Sequence, residues 1–540
     1  MLARLNIPFT LVLVAALLAG CDTGFSGTPF ENEPPDTELS VRDSSLVDNL
    51  AGADRLKSTV FVSWTGSDPD GFVTAFELRY FNTDERPGPE EGWTLTTSTD
   101  SLILLPIPRG ERIADVTFEV RAIDNEALKD PTPAKTVFPI QNAPPTIRLS
   151  TFDLPPDTTF TVFTFAWIAD DPEGIDNLDR IEVSLNDSTS FVELPPDVNF
   201  VTFVGEEDSN ASGRTEVETR LFTGRAFRST NIRVPGLRLD AENTLFVRAV
   251  DATDTTSVLQ RFTWHVKRQS SEILYVNDYR KNTAPKVQTF HLDLLRAYLP
   301  AGMPIDVWDI STPFVTGSAG NTPRSDLLPP NADPTLRQML ARFKYVYWVS
   351  TNATNSVTGN NLPFAAGVMD LFFENGGKLM VHTPISLPTS PEDNLGNPAI
   401  LLLPLTDLIT FPDSLRPSLR LPTGAGIRPA ESLPGLGEAM PELQTSAFVI
   451  NTLPYLTGGS NTIPLLEADY TYLTRQGGRS GPWFGSKVVA SISADRRVGL
   501  FALPMINDQT SAPLLLGADG DPEAARRAIH LMLESLGFPK

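Results

Sequence analysis

Phe163-Thr164-Phe165-Ala166-Trp167, followed by Asp171-Pro172-Glu173-Gly174, restates a phrase read earlier as Thr59-Val60-Phe61-Val62-Ser63-Trp64 and Asp68-Pro69-Asp70-Gly71. In both copies a tryptophan is followed by three residues and then Asp, Pro, an acid and Gly. The run before each tryptophan is rich in β-branched and aromatic residues, the first alternating as a half-buried strand, and the acidic turn ends it. A second pair of phrases falls in the same order, Val120-Arg121-Ala122-Ile123-Asp124 and Val247-Arg248-Ala249-Val250-Asp251. Two matched phrases in one order are a duplication.

Trp64 and Val120 lie 56 residues apart and Trp167 and Val247 lie 80 apart, so the second copy carries 24 extra residues. They are expected between Asn186 and Thr230, where 206–213 reads as a loop. Asn142-Ala143-Pro144-Pro145 is a short, stiff linker between the copies. With a tryptophan on an early strand and Val-Arg-Ala-x-Asp on a late one, residues 36–141 and 144–268 each resemble a fibronectin type III or related immunoglobulin-like domain. That resemblance implies two all-β sandwiches with Trp64 and Trp167 filling the space between sheets. The acidic turns offer Asp68 with Asp70, or Asp170, Asp171 and Glu173. Two or three carboxylates fall short of a calcium shell of roughly six to eight oxygens, so solvated turns and no metal are expected.

After Arg268 the pattern changes to strand and helix in alternation. Ile273-Leu274-Tyr275-Val276-Asn277-Asp278 is a buried strand with polar residues at its end. A helix is expected over 287–298, a strand over 305–309, a helix over 336–342 and a strand over 345–349. A helix over 362–373 stops at Asn375-Gly376-Gly377, and strands over 378–381, 488–492 and 498–502 precede an amphipathic helix over 522–536. This order implies an α/β domain with a mostly parallel sheet. Residues 384–463, rich in Pro and Leu, read as an inserted lobe over one sheet end.

Residues 273–382 and 487–538 resemble the flavodoxin-like core of class I glutamine amidotransferase-like domains, including the group related to trehalose-utilisation proteins. The matching phrases end in Asn277-Asp278, run from Phe373 to Leu379 through Asn375-Gly376-Gly377, and span Arg497 to Pro504. Active amidotransferases use a cysteine nucleophile on a strand-to-helix elbow, and this chain has one cysteine, Cys21. Glutaminase chemistry by that route is excluded.

Cys21 has another explanation. An apolar run from Ile7 to Ala19 follows Arg4 and ends in Leu18-Ala19-Gly20-Cys21, which resembles the lipobox of bacterial lipoproteins. The resemblance implies a signal peptide over 1–20, lipidation of Cys21 and a polar tether over 21–35. The expected location is the bacterial envelope, extracytoplasmic and lipid-anchored, in the periplasm or at the cell surface.

Charge narrows the partners. The 540 residues carry 66 acidic and 43 basic side chains, a formal charge of -23, which disfavours binding to nucleic acid. The acidity is uneven: 42 acids and 22 bases fall in 22–271, against 24 and 20 in 272–540. An acidic, solvated spacer and a near-neutral α/β domain follow, and the latter is the better place for a ligand.

The GxSxG, HExxH, Walker and GxGxxG patterns do not occur, and no cofactor is called for. His265, His291 and His530 read as structural or surface residues. In an open parallel sheet, ligands lie beyond the carboxyl ends of the strands. Those ends present Asn277, Asp278, Asp309, Ser350, Thr351, Asn352, His382 and Thr383, a candidate ligand site with catalytic roles unassigned. The leading expectation is a non-enzymatic binding or envelope scaffold protein, with a protein or glycan partner, whose sandwiches space the α/β domain from the membrane. The alternative is an extracytoplasmic hydrolase or carbohydrate-processing enzyme using the strand-end residues.

Overall fold

The computed structural model describes residues 31–41, 56–85, 87–206, 213–311, 334–351, 361–385, 401–409, 418–430, 440–449, 452–458, 460–473 and 480–540. Cys21 and Asn352 lie outside the described residues, as does most of the expected loop at 206–213. The chain divides into two compact units, residues 1–144 with 171–177 and residues 145–170 with 178–540.

In the first unit, Asp36–Val41, Thr59–Ser67 and Asp100–Leu104 form a three-stranded sheet. Leu56–Lys57, Ala134–Gln141, Ile113–Asp124, Val73–Asn82 and Thr94–Thr96 form a five-stranded one. Along Thr59–Ser67, Val60, Val62 and Trp64 are buried while the residues between them are partly exposed. Trp64 is buried against Phe76 and Phe118, with ring centroids 6.3 and 6.1 Å away. This is an immunoglobulin-like β-sandwich.

The second copy has two five-stranded sheets. Trp167 is buried, and its Nε1 donates to the Val198 carbonyl at 2.8 Å. The extra residues take shape as an added antiparallel hairpin, Glu216–Thr223 with Arg228–Arg238, which pairs beside Phe200–Gly205. It extends past Thr230, the expected limit of the insertion.

The Val-Arg-Ala-x-Asp phrase is a structural device in both copies. Its Val and Ala are buried core residues. Arg121 stands opposite Glu77 in the ladder and contacts it at 2.7 Å, and Arg248 stands opposite Glu182 and bonds it at 2.6 Å. An aromatic ring lies under each guanidinium, Trp93 at 4.1 Å and Phe191 at 4.3 Å. The closing Asp caps the next turn: Asp124 accepts the Glu126 and Leu128 amides, and Asp251 those of Thr253 and Thr255. Arg121 also meets Glu90 at 2.6 Å, so Arg121→Ala removes a shared partner of two carboxylates and leaves Glu77 with Lys129 at 3.0 Å. The first sandwich is expected to lose about 3 kcal/mol in a urea melt, with Arg121→Lys recovering part of it.

The Asp-Pro-acid-Gly turns also have local causes. Asn125 Oδ1 accepts the Phe72 amide at 2.9 Å, and a Cβ on Gly71 would lie 2.2 Å from that oxygen. Asp171 Oδ1 accepts from the Glu173 amide and Asn177 Nδ2. Among the described residues no group of three or more His, Cys, Asp or Glu is arranged to hold a metal ion.

In the second unit, Asp306–Asp309, Ile273–Asp278, Tyr345–Ser350, Lys378–His382 and Val498–Phe501 are neighbours in that order, and every adjacent pair is parallel. Helices Ala284–Tyr298, Thr335–Leu340 and Ala524–Leu536 accompany them. The sheet then continues antiparallel through Val488–Ser493, Thr462–Ala468, Gly426–Pro429, Leu443–Thr445 and Leu515–Gly517.

Two expectations are corrected. The sheet is mixed, not mostly parallel: Val488–Ser493 runs antiparallel to Val498–Phe501, and beyond it Gly426–Pro429 and Leu443–Thr445 of the Pro- and Leu-rich stretch join the sheet instead of forming only a cover over its end. The ladder shifts register next to Pro464, which has no amide hydrogen to donate. The single helix over 362–373 is two short ones, Leu362–Ala366 and Asp370–Glu374, interrupted at Gly367. The second sandwich and this domain share a core: Phe160 packs edge-on to Phe343 at 5.4 Å, and Arg342 Nη1 donates to the Gly205 carbonyl at 3.1 Å.

Candidate functional site: a cavity at the strand ends

Beyond the carboxyl ends of Tyr345–Ser350 and Lys378–His382 lies a cavity of about 640 Å³. Its lining includes Tyr279, Lys281, His291, Ser350, Thr351 and His382, with apolar wall from Val287, Leu453, Met505 and Ile506. Ser418, Leu419 and Thr452, from the inserted stretch, complete it.

Helix Ala284–Tyr298 supplies His291. Val287, His291, Leu294 and Leu295 are all buried and recur at three- and four-residue spacing on one face, so the histidine shares the apolar stripe that holds the helix to the sheet. His382 ends its strand. The two imidazoles lie 4.5 Å apart between centroids, and His382 stacks on Phe501 at 5.5 Å. His291 Nδ1 shares a 3.0 Å hydrogen bond with the Tyr347 hydroxyl. His382 Nδ1 is buried with no hydrogen-bond partner among the described residues. Burial brings the His382 pKa down to about 3, and burial, with the neighbouring His382 and Arg526, holds His291 well below the ordinary range. Both rings are therefore neutral at physiological pH.

The strand-end carboxylates do not join them. Asp278 is fully buried and accepts from the Asn361 amide at 2.6 Å, Asn361 Nδ2 at 2.9 Å, Trp348 Nε1 at 3.2 Å and Arg280 Nε at 3.3 Å. Asn277 Nδ2 donates to Gln288 Oε1, and Asp309 Oδ1 accepts from Ser311. Asp309 lies instead beside a small hollow with Phe160 and Trp308. Thr383 shares a 2.8 Å hydrogen bond with Ser350 but does not line the cavity. Of the eight candidates, Ser350, Thr351 and His382 come together there; Asn352 is outside the described residues. His291, Tyr279 and Lys281 were missed as site residues. For His291 the available signal was its place at i+4 from Val287 on a helix following the first strand.

One side of the cavity is clasped. Asp508 Oδ2 accepts from Tyr279 Oη at 2.8 Å, Lys281 Nζ at 3.2 Å and Thr283 Oγ1 at 3.2 Å. Burial opposes ionisation of Asp508, but these three donors hold its carboxyl below the usual range. Asp508→Ala is expected to cost about 1–2 kcal/mol and to speed amide exchange across 279–283, read by hydrogen-exchange mass spectrometry.

Comparison with known proteins gives no family and no curated relative that matches this chain. Solved structures do match, at low similarity. The fibronectin(III)-like modules of Clostridium thermocellum CbhA are 11% identical, with 43% of this chain and 94% of that one covered at a TM-score of 0.16. The FN1–FN3 domains of chicken CNTN1 are 11% identical over 44% of this chain and 66% of that one, with a TM-score of 0.19. Chitinase ChiA74 from Bacillus thuringiensis is 15% identical over 46% of this chain and 31% of that one, with a TM-score of 0.15. At such TM-scores these likenesses carry no argument. The first half is a tandem pair of immunoglobulin-like sandwiches, and that rests on their paired sheets. Among the described residues no helix is long and apolar enough to cross a membrane.

Proposed function

We propose that this chain is a lipid-anchored, extracytoplasmic binding protein: Cys21 holds it to the envelope, the acidic sandwiches act as a spacer, and a flavodoxin-like domain receives a small molecule in the strand-end cavity. The observation that carries the reading is the cavity of about 640 Å³, within the roughly 300–1,000 Å³ usual for ligand pockets, where apolar wall surrounds a few buried polar groups. The 2-1-3-4-5 order of the parallel strands supports the flavodoxin-like reading and the resemblance to amidotransferase-like domains without their cysteine. Binding is preferred to hydrolysis because the carboxylates that would serve as acid and base are committed elsewhere, Asp278 to four donors and Asp309 to Ser311.

The test is to extract the full chain from its native envelope, denature it and identify released small molecules by mass spectrometry, beside Ser418→Trp. Ser418 is exposed and borders the cavity, so a tryptophan there blocks it without altering the core. A molecule released by the natural chain and absent from the variant is expected. Equal release from both, or none from either, contradicts the binding reading.

A further inference from the structure

We propose that the cavity takes an uncharged, hydroxyl-bearing molecule of sugar size, received at His382 and His291; this rests on the cavity being the binding site. The described lining carries little charge. Among the described lining residues there is no carboxylate, and the one cation, Lys281, is already paired with Asp508 at 3.2 Å. A charged ligand entering such a space loses its hydration without gaining an unpaired opposite charge from the described lining, which is costly.

Hydrogen-bonding capacity points the same way. Each neutral imidazole has one nitrogen that donates and one that accepts, and His382 makes no side-chain hydrogen bond to the described residues, with Nδ1 buried and unmet. A hydroxyl can donate or accept, so it suits either tautomer. Thr351 adds a hydroxyl whose oxygen accepts the Arg280 amide at 2.7 Å and which can donate its own hydrogen to a ligand oxygen. The apolar wall of Val287, Leu453, Met505 and Ile506 matches the C–H face of a ring better than a fully hydrated ion.

Saturation-transfer NMR on the full chain tests this with glucose, glucosamine and glucuronate, one ring in neutral, cationic and anionic form. Glucose is expected to bind with an affinity roughly tenfold or more above either charged probe, about 1.4 kcal/mol. Its signal is lost in His382→Phe and in Ser418→Trp, and the second variant keeps the test valid where the first fails to fold. Preference for a charged probe, transfer to none of the three, or glucose binding unchanged in Ser418→Trp overturns the proposal. Isopropanol separates the two levels. Isopropanol binding that Ser418→Trp abolishes, without glucose binding, retires the sugar class alone, whereas a cavity that takes neither retires the binding reading as well.

Discussion

Cys21→Ser is expected to move this protein from the membrane pellet to the soluble fraction. The expectation rests on Cys21 being the only thiol in the chain and the residue that ends the lipobox-like phrase; among the described residues no helix is long and apolar enough to cross a membrane. Two or more acyl chains on one residue give stable attachment where a single chain gives reversible binding. Fractionation followed by immunoblotting reads the result. Retention of the variant in the pellet after a high-salt wash would mean that another segment or a partner holds the chain there. The acidity of residues 22–271, with 42 acids against 22 bases, makes electrostatic attachment of the sandwiches to anionic lipid a poor substitute.

Asp278→Ala is expected to destabilise the mixed-sheet domain by about 4 kcal/mol, more than any other single change to the strand-end residues. The carboxylate gathers Asn361, Trp348 and Arg280 around the end of the first strand, and Arg280 is itself nearly inaccessible, with 4% of its side chain exposed. Removing the acid takes one carboxylate away from a buried guanidinium and leaves the Asn361 and Trp348 donors without their acceptor. Asp278→Asn keeps the shape and exposes the pH dependence. Burial pushes the Asp278 pKa up to about 7, against the lowering pull of Asn361, Arg280 and Trp348. A raised pKa means that the folded state holds the proton more tightly than the unfolded one. The associated stabilisation is whole below about pH 4, the unfolded value, and is lost as pH rises through 7. Urea melts between pH 4 and 8 should therefore show a falling component in the natural chain that Asp278→Asn removes. Identical slopes in the two proteins would contradict the assignment.

The sandwiches were legible because their determinants are local and doubled. A tryptophan on an alternating strand, an acidic turn and Val-Arg-Ala-x-Asp each act within a few residues or across one strand pair, and the second copy repeats the order. The 24 extra residues were countable, but their form as the hairpin Glu216–Thr223 with Arg228–Arg238 depends on pairing beside Phe200–Gly205, which no local pattern announces.

The site was legible only in part. Strand order places Ser350, Thr351 and His382 at one end of the sheet, and a pattern of buried strands carries that information. Which way a strand-end side chain turns depends on partners distant in sequence: Asp278 turns to Asn361, and Asp309 to its own chain at Ser311. A sequence pattern treats these acids alike with His382. His291 was hidden for the opposite reason, since a histidine among Val287, Leu294 and Leu295 reads as one more buried helix residue until the sheet beneath it is known.

The central claim is that ligand binding resides in the strand-end cavity and not on the sandwiches. Hydrogen-exchange mass spectrometry of the full chain, with and without the small-molecule fraction of its native envelope, tests it most directly. The account predicts added protection in peptides covering 279–294, 378–385 and 502–509, with those covering 59–141 and 162–266 unchanged. Protection confined to the sandwich peptides, or none anywhere, would contradict it.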